Sequence, residues 1–403
     1  MLDHSSIYVE DLLTTQQSQS LRDLMVEFGS LNSNLADTKA SKPLHEHIGE
    51  ATAFDGVKCP HAYMVPDLNR ISCILANRID IGRHFLLTGG LTALKEKYEI
   101  AVSRLQSFGV YIFEPDKFVA IRNLFGSKKF LTLAQETCPA QKQVLDPFQF
   151  NLIVQVPGQT VATHIDGVYF KGADRFLYPQ WLLAAMKFSG LFEAEFVDQI
   201  QVVAYFHDWE WSEEMGGRFV YWKGRKGEDG GAAKIHTIRP MSGGGSGVDG
   251  TKLVHAADVY YPSELPPLTD KNRDVRLVKR DNVTEIWDVT EDGVRTGRNY
   301  KQSELRMSVV YRARCFENKL SLEKFNSQGY EPIGLDNILE KLWLNMGGKA
   351  DWRTEVSRLD MGVKIISHYI QYPWPVSIIP VNYCMVSKLH PNLAWWMEFV
   401  FGC

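Results

Sequence analysis

The middle of the chain, from about residue 108, is a succession of short apolar runs separated by turn residues. These runs are rich in β-branched and aromatic side chains, as in GVYIFEP, FQFNLIVQV, QIQVVAYFHDW, GGRFVYWKG, TKLVHAADVYY, VTEIWDV and RMSVVYRARCF. That composition, in runs of about four to eight residues, is typical of β-strands. The succession of runs therefore predicts an antiparallel β-sandwich or barrel.

Helical patterns flank this β-rich region. Residues 10–30 and 86–107 carry apolar side chains at spacings of three and four residues, and LDNILEKLWLNMG, after residue 320, gives a further helical region. This spacing places apolar side chains on one face of a helix. We therefore expect an α+β protein whose helices lie before and after a β core.

Three regions follow from these changes in pattern. Residues 1–107 are expected to be a mainly helical region that packs on the core, residues 108–320 the core, and residues 321–403 a helical, aromatic-rich extension. Within the core, two segments are expected to be inserted loops: the glycine-rich residues 223–250 and residues 261–300. In the second of these, VTEIWDVTEDGVRTGRNY is expected to form a hairpin with EDG as its turn.

Composition and charge disfavour several classes of protein. The chain is 45% hydrophobic and 23% charged, which is ordinary for a globular protein, and its net charge of −4 disfavours nucleic acid as a partner. No CxxC pair occurs among its cysteines, which are Cys59, Cys73, Cys138, Cys315, Cys384 and Cys403. This scatter favours free thiols. The N-terminus has no apolar run of the secretory type, so a cytoplasmic location is expected.

The C-terminal extension ends in an aromatic segment in which residues 365–387 contain no Lys, Arg, Asp or Glu. Pro373, Pro375 and Pro380 interrupt any continuous membrane-spanning helix there. We expect this tail to pack on the protein. Contact with a membrane interface through the tail is the less favoured alternative.

A histidine and an aspartate stand two residues apart in VPGQTVATHIDGVYF, at His164 and Asp166. In a strand, side chains two apart face the same way, so both groups reach a common point. A third candidate, His255, lies 89 residues after Asp166 in another strand-like run, GVDGTKLVHAADVYY. Two histidines and one carboxylate on one side suit a non-haem ferrous ion and leave positions open for further ligands.

Four stretches, taken together, resemble the iron(II) and 2-oxoglutarate-dependent dioxygenases of the double-stranded β-helix fold. They are PGQTVATHID, VVAYFHDWEWSEEMGGRFVYW, DGTKLVHAADVY and RMSVVYR, and they cover about residues 145–315. The resemblance implies a jelly-roll or cupin-like core with helical N-terminal and C-terminal additions. It also implies that His164, Asp166 and His255 bind Fe(II), which takes 2-oxoglutarate as cosubstrate and reacts with O2.

The resemblance further implies a seat for the cosubstrate in RMSVVYR. Strand alternation puts Arg306 and Ser308 on one face, where a guanidinium and a hydroxyl would hold the distal carboxylate of 2-oxoglutarate. Because 51 residues separate His255 from Arg306, other arginines stay open for this role. These are Arg295, Arg298 and Arg312.

The family reaction implied is oxidative decarboxylation of 2-oxoglutarate coupled to oxidation of a C–H bond. Hydroxylation, desaturation and oxidative ring closure all remain open, whereas the carboxylate of Asp166 disfavours halogenation. A small-molecule or amino-acid-like substrate is expected. The alternatives are a peptidyl (prolyl-type) hydroxylase, an alkylated nucleic acid demethylase, suggested by Arg306 and Arg312, and a non-catalytic cupin-like binding protein.

Other candidate ligands are weaker. His207 and Asp208 are adjacent and point to opposite faces of a strand, so they are expected to be turn residues. His236 is expected in a loop, with a place in a substrate pocket as the alternative. His45 and His47 have no strand-like flank and are expected at the surface. A nearby aromatic group is expected mainly in the core: Trp209, Trp211, Tyr221 and Trp222.

Overall fold

The computed structural model describes the strand-rich middle of the chain and parts of both flanks. The described residues are 6–33, 64–66, 73–75, 100, 103–112, 114–223, 234–270, 273–281, 283–327, 329–349, 351, 356–370, 391–393, 395–396 and 399. The strands are β1 (Ser6–Val9), β2 (Ser30–Ser33), β3 (Met64–Pro66), β4 (Cys73–Leu75), β5 (Phe108–Ile112), β6 (Val144–Gln155), β7 (Val161–His164), β8 (Tyr169–Phe170), β9 (Phe196–Val197), β10 (Gln199–Tyr205), β11 (Phe219–Lys223), β12 (Lys234–Ile238), β13 (Gly245–Val248), β14 (Val254–Ala257), β15 (Val275–Lys279), β16 (Ile286–Glu291), β17 (Val294–Lys301) and β18 (Arg306–Phe316). The α-helices are α1 (Thr15–Phe28), α2 (Val119–Phe125), α3 (Lys128–Thr137), α4 (Gln180–Ser189), α5 (Lys319–Asn326), α6 (Leu335–Asn345) and α7 (Arg358–Tyr369).

Within these residues, two antiparallel sheets carry the fold. The large sheet has the order β1-β13-β10-β18-β6-β5-β2-β15-β16-β17, and the small sheet the order β12-β11-β14-β7. Two short ribbons, β3-β4 and β8-β9, stand apart from them. The prediction of an α+β protein is confirmed.

Strand alternation divides the large sheet into an apolar and a polar face. In β6, Phe150, Leu152 and Val154 belong to a buried apolar cluster with side chains of α1, α2 and α3. Gln149 and Asn151, which alternate with these residues along the strand, are buried polar side chains on the opposite face. Because successive residues of a strand point to opposite sides, the helices cover one face and the polar residues line the other.

The small sheet is covered on its outer face by α4, α6 and α7. Val220, Trp222 and Val254 pack there against helical side chains such as Leu339 and Ile365. On the inner side, Tyr221 belongs to the same buried apolar cluster as Val248 of the large sheet. The two inner faces therefore meet, and buried polar side chains lie between them.

The N-terminal region contributes strands as well as a helix. The predicted helix in residues 10–30 is confirmed as α1, which Thr14 and Gln17 cap through a reciprocal capping box. However, β1 pairs with β13 and β2 pairs with β5 and β15, so both strands belong to the large sheet. The second predicted helix, 86–107, lies almost entirely outside the described residues.

Both regions that were expected to be loops also contain strands. β12 and β13 lie within 223–250, and β13 stands between β1 and β10 in the large sheet. β13 has the sequence GSGV, so it lacks the apolar alternation that would indicate a strand. In 261–300, β15 adds a strand, and the predicted hairpin is confirmed as β16 and β17. Its turn has Asp292 at φ 50° and Gly293 at φ 79°, as a tight hairpin turn requires.

The C-terminal extension is helical where the structure describes it. The prediction from LDNILEKLWLNMG is confirmed as α6. Most of the aromatic tail lies outside the described residues, so its packing remains a prediction. None of the helices in the described part of the chain has the length and apolar character needed to cross a bilayer.

A disulfide joins Cys138 to Cys315, and the expectation of free thiols is wrong for this pair. Cys138 caps the C-terminus of α3, and Cys315 lies in β18. The two residues are 177 positions apart, so only the packing of α3 on the large sheet brings them together. Disulfides persist mainly in oxidising compartments, so this bond does not favour the expected cytoplasmic location, which stays a prediction.

Replacing both Cys138 and Cys315 by alanine is expected to lower the free energy of unfolding by about 2–4 kcal/mol, because the bond closes a long loop in the unfolded chain. Urea titration measures this loss. Reductant should destabilise the wild-type protein by a similar amount and leave the double variant unaffected. Peptide mapping that finds both thiols free would contradict the assignment.

Candidate metal centre

His164, Asp166 and His255 come together at one end of the small sheet. His164 is the last residue of β7 and pairs directly with His255 of β14. The Nε2 atoms of His164 and His255 lie 3.8 Å and 3.9 Å from Asp166 Oδ1. One ligand atom from each residue lies within 4.8 Å of the others. Atoms bound about 2.1 Å from one ion are at most about 4.2 Å apart, so shifts below about 1 Å bring all three onto it.

The orientation of His255 suits ligation through Nε2. Its Nδ1 lies 2.8 Å from the carbonyl oxygen of Leu253. A carbonyl oxygen only accepts hydrogen bonds, so Nδ1 carries the proton and Nε2 keeps its lone pair. A hydrogen bond of this kind fixes both the tautomer and the ring orientation of a metal ligand.

Gly250 leaves room for the carboxylate of Asp166. The backbone N–H of Asp166 donates to the carbonyl of Gly250 at 2.7 Å. A Cβ atom at position 250 would lie 2.0 Å from Asp166 Oδ2 and 3.2 Å from His255 Cε1. Only glycine fits here, and sequence reasoning missed this residue although it stands in the same GVDGTKLVHAADVYY run.

Salt bridges anchor the loop that carries Gly250. Lys252 Nζ contacts Asp198 at the start of β10 and lies 3.0 Å from Asp249 Oδ2. Burial works to raise the pKa of Asp198, but Lys252 and Lys142 outweigh it and hold that pKa below its usual value. Burial raises the pKa of Asp249. These contacts hold the segment that precedes His255 against the large sheet.

Arg306, the predicted cosubstrate residue, is buried on the polar face of β18 and contacts neutral groups. Its Nε donates to the carbonyl of Gly217 at 2.8 Å, Nη1 donates to Gln155 Oε1, and Nη2 lies 3.3 Å from the Tyr205 hydroxyl. Among the described residues, no carboxylate oxygen lies within 4 Å of this guanidinium. A buried cation without an acidic partner is costly, and an anionic ligand would offset that cost.

The surroundings of Arg306 are rich in hydrogen-bond donors. Gln155 Nε2 is buried and has no hydrogen-bond partner within the described part of the chain. Ser308 faces the same side, directly between Tyr205 and Ile153 in the strand pairing, and donates to the carbonyl of Ile153 at 3.3 Å. The sequence prediction missed Gln155 and Tyr205, although alternation in their strands would have placed both beside Arg306.

The alternative arginines lie elsewhere. Arg312 donates from Nη2 to Asp166 Oδ1 and therefore contacts a candidate metal ligand. Arg295 and Arg298 lie on β17, the outermost strand of the large sheet, and Arg295 pairs with Asp288 at 3.1 Å. The structure therefore brings Arg306 and Arg312, but neither residue of β17, to the polar inner face.

Two of the other candidate histidines, His207 and His236, are described by the structure and are not among the three candidate ligands. His207 is fully buried and stacks on Trp209 at 3.7 Å between ring centroids, whereas Asp208 is exposed, as expected of adjacent residues. Burial lowers the pKa of His207 to about 3. His236 is on β12, where it stacks on Tyr221, so the expectation of a loop is wrong. His45 and His47 lie outside the described residues.

The four aromatic residues singled out in the sequence do not all lie in the core. Trp222 is buried against the helices on the outer face, whereas Tyr221 lies on the inner face opposite His255 in the strand pairing. Trp211 is partly buried and donates to the carbonyl of Gly216 at 2.7 Å. Trp209 is also partly buried and donates to the carbonyl of Leu305 at 2.9 Å.

Comparisons with known proteins find likeness only among solved structures. No family model and no curated protein matches the chain. A Pseudomonas putida prolyl-4-hydroxylase matches at 11% identity over 77% of this chain and 94% of that chain, with a TM-score of 0.34. HygX from Streptomyces hygroscopicus, with nickel, 2-oxoglutarate and hygromycin B bound, matches at 8% identity over 77% and 82%, with a TM-score of 0.35.

A third match is SnoK, a non-haem α-ketoglutarate-dependent carbocyclase from nogalamycin biosynthesis, at 9% identity over 84% of this chain and 86% of that chain, with a TM-score of 0.35. Scores of this size mean a partial superposition. The functional proposal therefore depends on the chemistry of the site.

Gly250→Ala is expected to weaken Co(II) binding at least about 10-fold, because the added Cβ collides with the carboxylate of Asp166. Absorbance titration under anaerobic conditions measures the affinity. Gly334→Ala is the matched control, since its nearest neighbour would lie 3.7 Å away, and it should bind Co(II) as the wild type does. Unchanged affinity in Gly250→Ala would contradict the geometry.

The depressed pKa of His207 predicts a loss of stability in acid. Its folded pKa of about 3 lies below the ordinary 6.5, so the unfolded chain takes up the proton first and stability falls between these two values. The slope is at most about 1.4 kcal/mol per pH unit for one group. His207→Phe should show a shallower decline in urea titrations between pH 6 and pH 4. An identical decline would refute the prediction.

Proposed function

We propose that this chain is a non-haem iron(II) and 2-oxoglutarate-dependent oxygenase built on a double-stranded β-helix. It couples oxidative decarboxylation of 2-oxoglutarate to oxidation of a C–H bond in a small-molecule or amino-acid-like substrate. The observation that carries the proposal is the convergence of His164, Asp166 and His255 within 4.8 Å. The two facing antiparallel sheets support the fold, with the core spanning 108–320 and completed by β1 and β2.

The ligand set decides which metal fits. Two imidazoles and one carboxylate, all from one side of the site, suit Fe(II) and leave coordination positions open for small ligands. His164 Nε2, His255 Nε2 and one oxygen of Asp166 would hold the ion. When bound there, iron(II) and 2-oxoglutarate supply the oxidising chemistry that amino-acid side chains lack, with O2 as oxidant and succinate and carbon dioxide as products.

The residues around Arg306 would hold the distal carboxylate of 2-oxoglutarate. The guanidinium is buried and contacts no acidic group among the described residues, and Gln155 adds an unused amide donor beside it. Ser308 and Tyr205 contribute hydroxyl groups from the neighbouring positions of the pairing. A carboxylate bound here satisfies several donors at once and gains charge-assisted hydrogen bonds in a dry setting.

The substrate side of the proposal rests on the polar inner face. Gln149, Asn151, Gln199 and Gln201 are buried amides on β6 and β10, at the end of β18 where Arg312 reaches Asp166. Gln149 Oε1 has no hydrogen-bond partner within the described residues. Such a lining favours a polar substrate that forms hydrogen bonds. The two sheets and their helices would exclude bulk water and orient the substrate.

Anaerobic addition of Fe(II) and 2-oxoglutarate is expected to produce the charge-transfer absorbance of a chelated keto acid. Asp166→Ala should lose both the metal and the band. Arg306→Met should keep the metal but need about 10–100-fold more 2-oxoglutarate, since a hydrogen bond to a charged group contributes about 1.5–3 kcal/mol. Arg298→Met, on the exposed strand β17, is the matched control and should behave as wild type.

The same anaerobic preparation with Fe(II) also distinguishes the alternative functions. A cupin-like binding protein would hold no iron in either the wild type or Asp166→Ala, which would refute the proposal. With iron bound, succinate formation is compared across small metabolites, proline-containing peptides and alkylated oligonucleotides. Turnover with small metabolites supports the proposed substrate class. Turnover confined to peptides or to oligonucleotides would replace that class while leaving the oxygenase assignment intact.

A further inference from the structure

Arg312 links the candidate metal ligands to the large sheet. It stands six residues after Arg306 on the same face of β18. Its Nη2 donates to Asp166 Oδ1, and its Nε donates to Gln201 Oε1 at 3.0 Å. Gln201 lies directly opposite Arg312 in the pairing of β10 with β18. One guanidinium therefore contacts both the carboxylate ligand and an amide of the next strand.

Gln201 also contacts a second candidate ligand, His255. Because its Oε1 accepts from Arg312, its Nε2 points away towards His255, and the distance to His255 Nε2 is 3.4 Å. The other ring nitrogen of His255 donates to Leu253, so Nε2 is the acceptor in this contact. The chain of contacts therefore runs from Asp166 through Arg312 and Gln201 to His255.

We propose that Arg312 and Gln201 are positioning residues that hold Asp166 and His255 in ligand geometry before the metal arrives; this inference rests on the proposed function. The carboxylate of Asp166 is buried, and a buried charged group is costly unless it is paired and hydrogen-bonded, as it is here with Arg312. The planar fork of an arginine can hold it and Gln201 at the same time, which a lysine ammonium does not.

The contacts also define what metal binding changes. Asp166 Oδ1 has more than one lone pair, so it can bind a metal while it accepts from Arg312. His255 Nε2 has a single lone pair, which Gln201 now uses. Metal binding therefore breaks the contact between Gln201 and His255 and leaves the contact between Arg312 and Asp166 in place. Arg312 is thus expected to matter more than Gln201 for metal affinity.

Anaerobic Co(II) titration of the full chain tests this assignment, with thermal unfolding of each metal-free protein as a second readout. Arg312→Met is expected to weaken Co(II) binding by about 10–100-fold, as loss of a residue that orients a ligand typically does. Arg312→Lys should recover part of this loss, because it keeps a charge beside Asp166. Gln201→Leu, which leaves the arginine in place, should weaken binding by less than about 10-fold.

Arg314→Met is the matched control. Arg314 lies two residues further along the same face of β18 and forms an ion pair with Asp146 at 2.6 Å. Its loss should lower the unfolding temperature and leave Co(II) affinity unchanged.

Equal or tighter Co(II) binding by Arg312→Met than by the wild type would overturn the inference and leave the proposed function standing. A wild type that binds no Co(II) would overturn both. If Arg312→Met fails to fold, Arg312→Lys and Gln201→Leu decide the matter, and wild-type affinity in both would refute the assignment.

Discussion

The direct pairing of His164 with His255 across β7 and β14 is the contact on which the candidate site depends. Side chains alternate between the faces of a strand, so a slip of one residue in this register would turn one imidazole towards the helices on the outer face. Asp166 follows β7 at a spacing of two and is held by the backbone of Gly250. One register therefore fixes two of the candidate ligands, and a short loop contact fixes the third.

Two arginines on one face of β18, Arg306 buried and Arg312 partly buried, show how charge is distributed between the sheets. Arg312 has an acidic partner, because Asp166 reaches it from the small sheet. Arg306, which is more deeply buried than Arg312, has only neutral hydrogen-bond partners among the described residues. A buried ion pair is balanced, whereas a buried cation that contacts only neutral groups favours an anion. On the polar face of β18, the charge of Arg312 is thus paired, whereas the end at Arg306 is suited to bind a small carboxylate.

Local sequence patterns indicate the candidate site residues but not the side chains that contact them. The spacing of His164 and Asp166 and the alternation in RMSVVYR are local features with a period of two, so each could be read from a few neighbouring residues. The contacts of Arg312 with Asp166 and of Gln201 with His255 depend on the register of β10 against β18 and on the distance between two sheets. No local pattern contains that information.

The same reasoning explains the errors in the fold prediction. β1 pairs with β13, whose residues are more than 230 positions away, and nothing within SIYV indicates that partner. The join between Cys138 and Cys315 likewise depends on where α3 packs. In contrast, α1, α6 and the hairpin of β16 and β17 follow from local signals, namely a capping residue, an apolar stripe and a turn with positive φ angles.

The central claim is that His164, Asp166 and His255 share one metal ion, and a crystal structure of protein loaded anaerobically with Mn(II) as a stand-in for Fe(II) tests it most directly. The account predicts one anomalous peak about 2.0–2.3 Å from His164 Nε2, His255 Nε2 and an oxygen of Asp166. A peak held by other residues, or three side chains that stay apart with no peak between them, would contradict it.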